Sequence, residues 1–85
     1  MEEIYEMIEA KIKAAGCLKP ISGEDVYDDI CDQIEGKENG TYVVLSKFAS
    51  DILMEYTITV MDEDFNLSKI IIRTEGKVYN VDLDN

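Results

Sequence analysis

The sequence lacks histidine and tryptophan altogether, and its 85 residues include one proline, two cysteines and eight lysines and arginines. Without histidine, Cys17 and Cys31 have no base to form a Cys/His nucleophile pair and cannot complete a four-ligand zinc site. The serines likewise have no general base that would activate a hydroxyl group. We therefore expect no enzymatic activity, no catalytic residue, no metal site and no cofactor.

Long apolar runs are also missing from the chain. No stretch approaches the roughly 18 residues that a membrane-spanning helix requires. The N-terminus, MEEIYEMIEAKIK, is acidic and amphipathic, unlike a signal peptide. We therefore expect a cytoplasmic protein that does not associate with membranes, in which both cysteines are reduced.

Acidic residues dominate the charge of the chain. Nineteen aspartates and glutamates against eight lysines and arginines give a formal net charge of −11, beyond the magnitude of roughly 2 to 8 that keeps a small domain soluble. Such a surface repels nucleic acid and anionic membranes and attracts basic protein surfaces or cations. The simpler alternative is that the acids serve solubility alone.

Two helices are predicted in the N-terminal part of the chain. Apolar residues recur at helical spacing from Ile4 to Ile12 and predict a helix over residues 2–15. Ser22, with an acid three positions later, predicts the N-cap of a second helix over residues 23–35. The hydrophobic stripe on each helix indicates that one side of it packs against a core.

The rest of the chain is predicted to form strands. After the polar loop GKENG, β-branched and aromatic residues dominate and predict strands over 41–47, 52–61, 67–74 and 78–83. The short loops between these segments favour antiparallel hairpins over crossovers. We therefore predict one α+β domain over residues 1–85, in which both helices pack on one face of a four-stranded antiparallel meander (ααββββ).

The second predicted helix is acidic along its exposed side, and no lysine or arginine lies between Ser22 and Gly36. Each pair of like charges four residues apart costs on the order of 0.2 to 0.5 kcal/mol. The charges occur about every 3 Å along the helix axis, close to the spacing of about 3.4 Å between phosphates along one DNA strand. The partner-binding residues that we expect on this helix are Glu24, Asp25, Asp28, Asp29, Asp32 and Glu35.

A second acidic group follows the second predicted strand. The segment from Asp62 to Asn66 begins like a calcium-binding EF-hand loop, but Leu67 replaces the required glycine and Arg73 replaces the final glutamate. We therefore predict a hairpin loop, with a weak divalent-cation contact as a minor alternative. The acids that we add to the partner-binding set from this loop are Asp62, Glu63 and Asp64.

The predicted sheet offers a different mode of binding. Residues 41–48 contain a single charge, that of Lys47, and are predicted to form a sheet edge that is open to β-augmentation or to pairing in a homodimer. Leu53, Met61, Leu67 and Ile71 would add an apolar patch on the face without helices. The alternative function is therefore a small structural or adaptor domain that self-associates through its sheet.

In size, charge and the combination of helices with a sheet, the chain resembles the small acidic inhibitors encoded by phages and mobile elements. These are the anti-CRISPR and anti-restriction proteins that imitate nucleic acid, and the resemblance includes no diagnostic motif. It implies a protein that binds no nucleic acid itself and whose acidic surface occupies the basic groove of a nuclease or another nucleic-acid-binding protein. Such binding would depend strongly on salt.

Overall fold

The chain folds as two helices followed by four strands, and the computed structural model describes residues 2–17, 19–62 and 64–83. This arrangement confirms the predicted α+β fold. Each helix ends within one residue of the predicted boundary, two positions before a glycine of positive φ. The elements are α1 (Glu2–Ala14), α2 (Gly23–Ile34), β1 (Gly40–Ala49), β2 (Ile52–Met61), β3 (Asp64–Thr74) and β4 (Lys77–Asp82).

The four strands form one antiparallel sheet in the order β1-β2-β3-β4. β3 begins at Asp64, whereas the sequence predicted its start at residue 67. The pairing explains this difference, since Phe65 lies opposite Val60 and Asp64 lies opposite Met61. The hairpin between β2 and β3 therefore turns more tightly than predicted, and Asp62 enters it with a φ of 48°.

The hydrophobic core lies between the helices and one face of the sheet. Alternate residues of β2 are buried and the others are not, as expected for a strand with one face packed. The same face continues through β3 and β4, and the apolar stripes of the two helices cover it. The core residues include Ile8, Ile12, Val26, Ile30, Ile52, Met54, Tyr56, Ile58, Ile70, Ile72 and Val81.

A glycine fixes how the two helices meet. A Cβ atom at Gly23 would overlap the backbone carbonyl of Tyr5, so only glycine allows this close approach. The backbone N–H of Gly23 donates a hydrogen bond of 3.0 Å to the carboxylate of Glu9. The first residue of α2 is thereby held against α1, which sets the position of the acidic helix.

The helices leave the opposite face of the sheet uncovered in the described part of the chain. Val43 and Leu45 of β1 are 63% and 60% exposed on this face. Leu53, Met61 and Val78 are also exposed, whereas Ile71 is half-buried. The prediction was wrong for Leu67, which lies opposite Ile58 after a register shift and packs against the core. None of the described helices is long and apolar enough to cross a membrane.

Candidate acidic protein-binding surface

The acidic helix α2 starts from a well-formed cap. The side chain of Ser22 accepts a hydrogen bond of 3.4 Å from the backbone N–H of Asp25, as the sequence predicted. Glu24 and Asp25 lie in the first turn, where a negative charge interacts favourably with the helix dipole. The last turn contains no basic residue, so nothing there offsets the unfavourable interaction of its acids with the helix dipole.

Five of the six predicted acids point to solvent, four of them in α2 and the fifth, Glu35, at its C-cap. An α-helix turns by about 100° per residue, so the four in α2 fall within an arc of about 100° on the side opposite Val26 and Ile30. All five are exposed, and none forms an ion pair with another described residue. We call this set the α2 acidic surface, and its members are Glu24, Asp25, Asp28, Asp32 and Glu35.

Asp29, the sixth predicted acid, has a different environment. It is half-buried, and its Oδ2 accepts hydrogen bonds from the hydroxyl of Ser46 at 2.7 Å and from that of Tyr56 at 2.6 Å. Gln33, one turn further along α2, donates to the same Ser46 hydroxyl at 3.5 Å. Asp29 therefore joins α2 to β1 and β2, and its carboxylate is occupied within the fold.

The partner of Asp29 in β2 is fully buried. The Tyr56 side chain has no exposed surface, and its hydroxyl group reaches the edge of the core at Asp29. Burial, the hydrogen bond to Asp29 and the charge of that residue all raise the pKa of Tyr56 above its usual range. By accepting a hydrogen bond from the Tyr56 hydroxyl, the Asp29 carboxylate satisfies a buried polar group that would otherwise have no partner.

The acids of the β2–β3 hairpin come close to the end of α2. Asp62 and Asp64 line a surface depression together with Glu35 and Lys37, and Glu63 lies outside the described residues. Asn39 holds this turn in place, since its amide group donates to Asp62 at 3.3 Å and its carbonyl accepts from the Asp62 backbone at 3.0 Å. The structure therefore joins Asp62 and Asp64 to one end of the α2 acidic surface.

Two aromatic side chains, Tyr27 and Phe65, line this depression. The ring centroids of Tyr27 and Phe65 are 5.3 Å apart, and Tyr5 contacts Tyr27 edge to face at 5.5 Å. These rings were not among the predicted site residues. The alternation of β3 would have identified Phe65 only if its strand had been predicted to begin before residue 67.

The acids of α2 also affect the pKa values of two nearby side chains, Cys31 and Tyr5. Burial raises the pKa of the Cys31 thiol, and Asp28 and Asp32 raise it further. Burial likewise raises the pKa of Tyr5, to which Glu24 and Asp28 add. Cys31 is therefore held as the neutral thiol, the form that is a poor nucleophile.

Positive charge is sparse around the α2 acidic surface. Lys47 lies beside Asp25, Asp28 and Asp32 at a shallow depression next to β1. Lys37 lies over the ring of Tyr42, 5.1 Å from its centroid. The surface therefore stays anionic.

The described residues contain no group of three or more cysteines, aspartates or glutamates that would hold a metal ion. Comparison with protein-family models finds no match, and no curated protein or solved structure is significantly similar to the chain.

Proposed function

We propose that the protein is an inhibitor that binds the basic nucleic-acid-binding groove of a nuclease or another nucleic-acid-binding protein. The α2 acidic surface would take the place of the phosphates, and Asp62, Glu63 and Asp64 would form a second contact. The protein would bind no nucleic acid itself and would need no cofactor. The observation that carries this proposal is the row of five exposed carboxylates, along α2 and at its C-cap, without an ion pair among the described residues.

This arrangement has an energetic cost in the free protein. Three acids of α2 follow one another at intervals of four residues: Glu24, Asp28 and Asp32. Repulsion within each neighbouring pair destabilises the helix by on the order of 0.2 to 0.5 kcal/mol. A basic groove would remove this repulsion and release the counterions of both surfaces. Carboxylates that destabilise the free helix would therefore stabilise a complex.

The test compares the wild-type chain with a variant that carries Glu24→Gln, Asp28→Asn and Asp32→Asn. Each chain is immobilised and incubated with cell lysate at low and high salt, and bound proteins are then eluted with a DNA or RNA oligonucleotide. We expect the wild type to retain a nucleic-acid-binding protein at low salt that the oligonucleotide releases. The variant should lose it. Asp29 is left unchanged because its carboxylate is bonded within the fold.

A matched control removes the same three charges elsewhere. Glu3, Glu6 and Glu38 are exposed and lie outside α2, so their change to glutamine reduces the negative net charge by the same amount. This control should retain the partner. Equal loss in both variants would indicate attraction by net charge alone, and equal retention would contradict the proposal.

A second candidate function is a structural or adaptor domain that self-associates through its sheet. The specific observation in its favour is the exposure of Val43 and Leu45 on the face without helices. Sedimentation equilibrium distinguishes the two functions. A dimer that persists at high salt and is lost on changing Leu45 to lysine would support this second function.

A further inference from the structure

β1 forms an unpaired edge of the sheet beside the α2 acidic surface. It pairs with β2 on one side and with no described strand on the other, so alternate backbone N–H and C=O groups point outward. Its ten residues include one charge, Lys47, and no proline, and the pairing is regular up to that residue. The other edge strand, β4, has six residues and carries both Lys77 and Asp82. β1 therefore lacks most of the features that block edge pairing.

The acidic helix follows the same edge. Asp29 is bonded to Ser46 of β1, and Asp25, Asp28 and Asp32 line a shallow depression whose other side is formed by Lys47 and Phe48. A strand added beyond β1 would place every second side chain on the helix side of the sheet. Those side chains would lie near the carboxylates of α2, so a basic residue is favoured there.

The remaining side chains of an added strand would lie on the open face. Their neighbours on β1 would be Val43 and Leu45, which are more than half exposed. Cross-strand pairs of apolar and β-branched residues stabilise a sheet. The open face therefore favours apolar residues at the alternate positions.

We propose that the partner binds through an extended segment in which basic and apolar residues alternate, and that this segment pairs with β1 as a fifth strand. The inference rests on the proposed function, because it names the part of the partner that the acidic surface recognises. Main-chain hydrogen bonds to β1 would supply affinity, and the carboxylates of α2 would select the basic residues.

A second copy of the chain fits this edge less well. Pairing of β1 with its own copy would bring two α2 helices toward each other on the same face of the joined sheet. Each α2 contains no lysine or arginine, so like charges would meet. The residues of β1 on the helix side, Tyr42, Val44 and Ser46, also offer no positive charge to the facing carboxylates.

The direct test uses synthetic peptides with the isotope-labelled chain. The first peptide alternates four lysines with four valines, and the second has the same composition as a block of four lysines followed by four valines. Amide hydrogen exchange of β1 is measured by NMR with each peptide. We expect the alternating peptide to protect the β1 amides that exchange fast in the free protein. It should also bind about tenfold more tightly than the block peptide, the equivalent of one or two net hydrogen bonds.

A proline variant tests the edge itself. Hydrogen exchange in the free protein shows whether Val43 or Val44 directs its N–H away from β2, and that residue is changed to proline, which an edge strand tolerates at an outward position. The variant should keep its thermal transition and lose both the protection and the tenfold preference. Equal binding of the two peptides, or protection confined to α2, would overturn the inference.

The outcomes separate this inference from the proposed function. Suppose that neutralising α2 abolishes capture of the partner from lysate, but the proline variant captures the same amount of partner as the wild type. The proposed function then stands, and the edge pairing is wrong. If neutralising α2 leaves capture unchanged, the proposed function fails whatever the peptides do. A dimer that the proline variant abolishes would show that a second copy occupies the edge, which also overturns the inference.

Discussion

Asp28 and Asp29 are neighbours in the chain, yet the fold uses them in opposite ways. Asp28 is exposed, has no ion pair among the described residues and lies four positions from both Glu24 and Asp32. Asp29 is half-buried and accepts hydrogen bonds from two hydroxyl groups of the sheet. Two identical side chains about 100° apart on one helix therefore differ in their contribution to the fold. The comparison separates carboxylates available to a partner from carboxylates that stabilise the protein.

The difference also narrows the candidate surface. A mimic of nucleic acid needs charges that a partner can reach, and Asp29 directs its charge toward Ser46 and Tyr56. The effective row on α2 therefore has five carboxylates, and its spacing is less dense than the sequence suggested. Asp62 and Asp64, which line one depression with Glu35, extend the row beyond the end of the helix.

The largest expected effect in this comparison is that of Asp29→Ala. The substitution leaves the buried hydroxyl of Tyr56 without its acceptor, and we expect the free energy of unfolding to fall by about 1 to 3 kcal/mol. Urea denaturation followed by circular dichroism measures the change.

The matched control is Asp28→Ala, which makes the same chemical change at the adjacent position. Both variants gain the same helix propensity, so their difference isolates the environment of the side chain. Removal of Asp28 ends two repulsive pairs and should raise the free energy of unfolding by about 0.5 to 1 kcal/mol. Equal effects of the two variants would contradict the distinction between the two carboxylates.

A smaller effect is expected for Tyr56→Phe, which removes one of the two donors to Asp29 and keeps the buried ring. The loss should be about 0.5 to 1.5 kcal/mol. In combination with Asp29→Ala, the total should fall short of the sum by at least about 0.5 kcal/mol, because both changes remove the same hydrogen bond. Additive losses in this double-mutant cycle would show that the two side chains act independently.

Local patterns in the sequence were sufficient to predict the fold. The capping serine Ser22, the alternation in β2 and the short loops gave the element order and the antiparallel sheet, which the structure confirms. The start of β3 was placed too late because Asp64 and Asn66 are polar residues typical of loops. Their strand conformation depends on pairing with β2, a tertiary effect that single-sequence propensity does not include.

The candidate surface was predicted less completely. Helical spacing correctly placed four acids of α2, and Glu35 at its C-cap, on the exposed side. It did not reveal the role of Asp29, because that role requires Ser46 and Tyr56 from two strands to reach the same oxygen. The aromatic pair of Tyr27 and Phe65 depends in the same way on a contact between α2 and β3.

The smallest effect is expected at the other end of the sheet, where Lys19 pairs with Asp51 at 2.7 Å and with Glu75 at 3.3 Å. The hydrogen bond with Asp51, ahead of that with Glu75, raises the pKa of Lys19. The bond with Lys19 lowers the pKa of Asp51. A lowered carboxylate pKa stabilises the fold above the unfolded value of about 3.9, and this contribution is lost as the pH falls through the folded value. The raised pKa of Lys19 stabilises the fold below about 10.4, and that contribution is lost as the pH rises through the folded value.

The wild type should therefore exceed Lys19→Gln in thermal stability by a small margin that stays constant between about pH 5 and pH 9. The margin should shrink toward pH 3 and again toward pH 11, and it should decrease with salt because the pair is at the surface. Differential scanning calorimetry across this range measures it. A margin that persists undiminished at pH 3 would show that Lys19 stabilises the fold by packing of its alkyl chain, since the contribution of the Asp51 carboxylate shrinks once the pH is below the unfolded pKa of about 3.9. In that case, the paired carboxylate of Asp51 and the unpaired carboxylates of α2 would differ less in their contribution to stability than the geometry indicates.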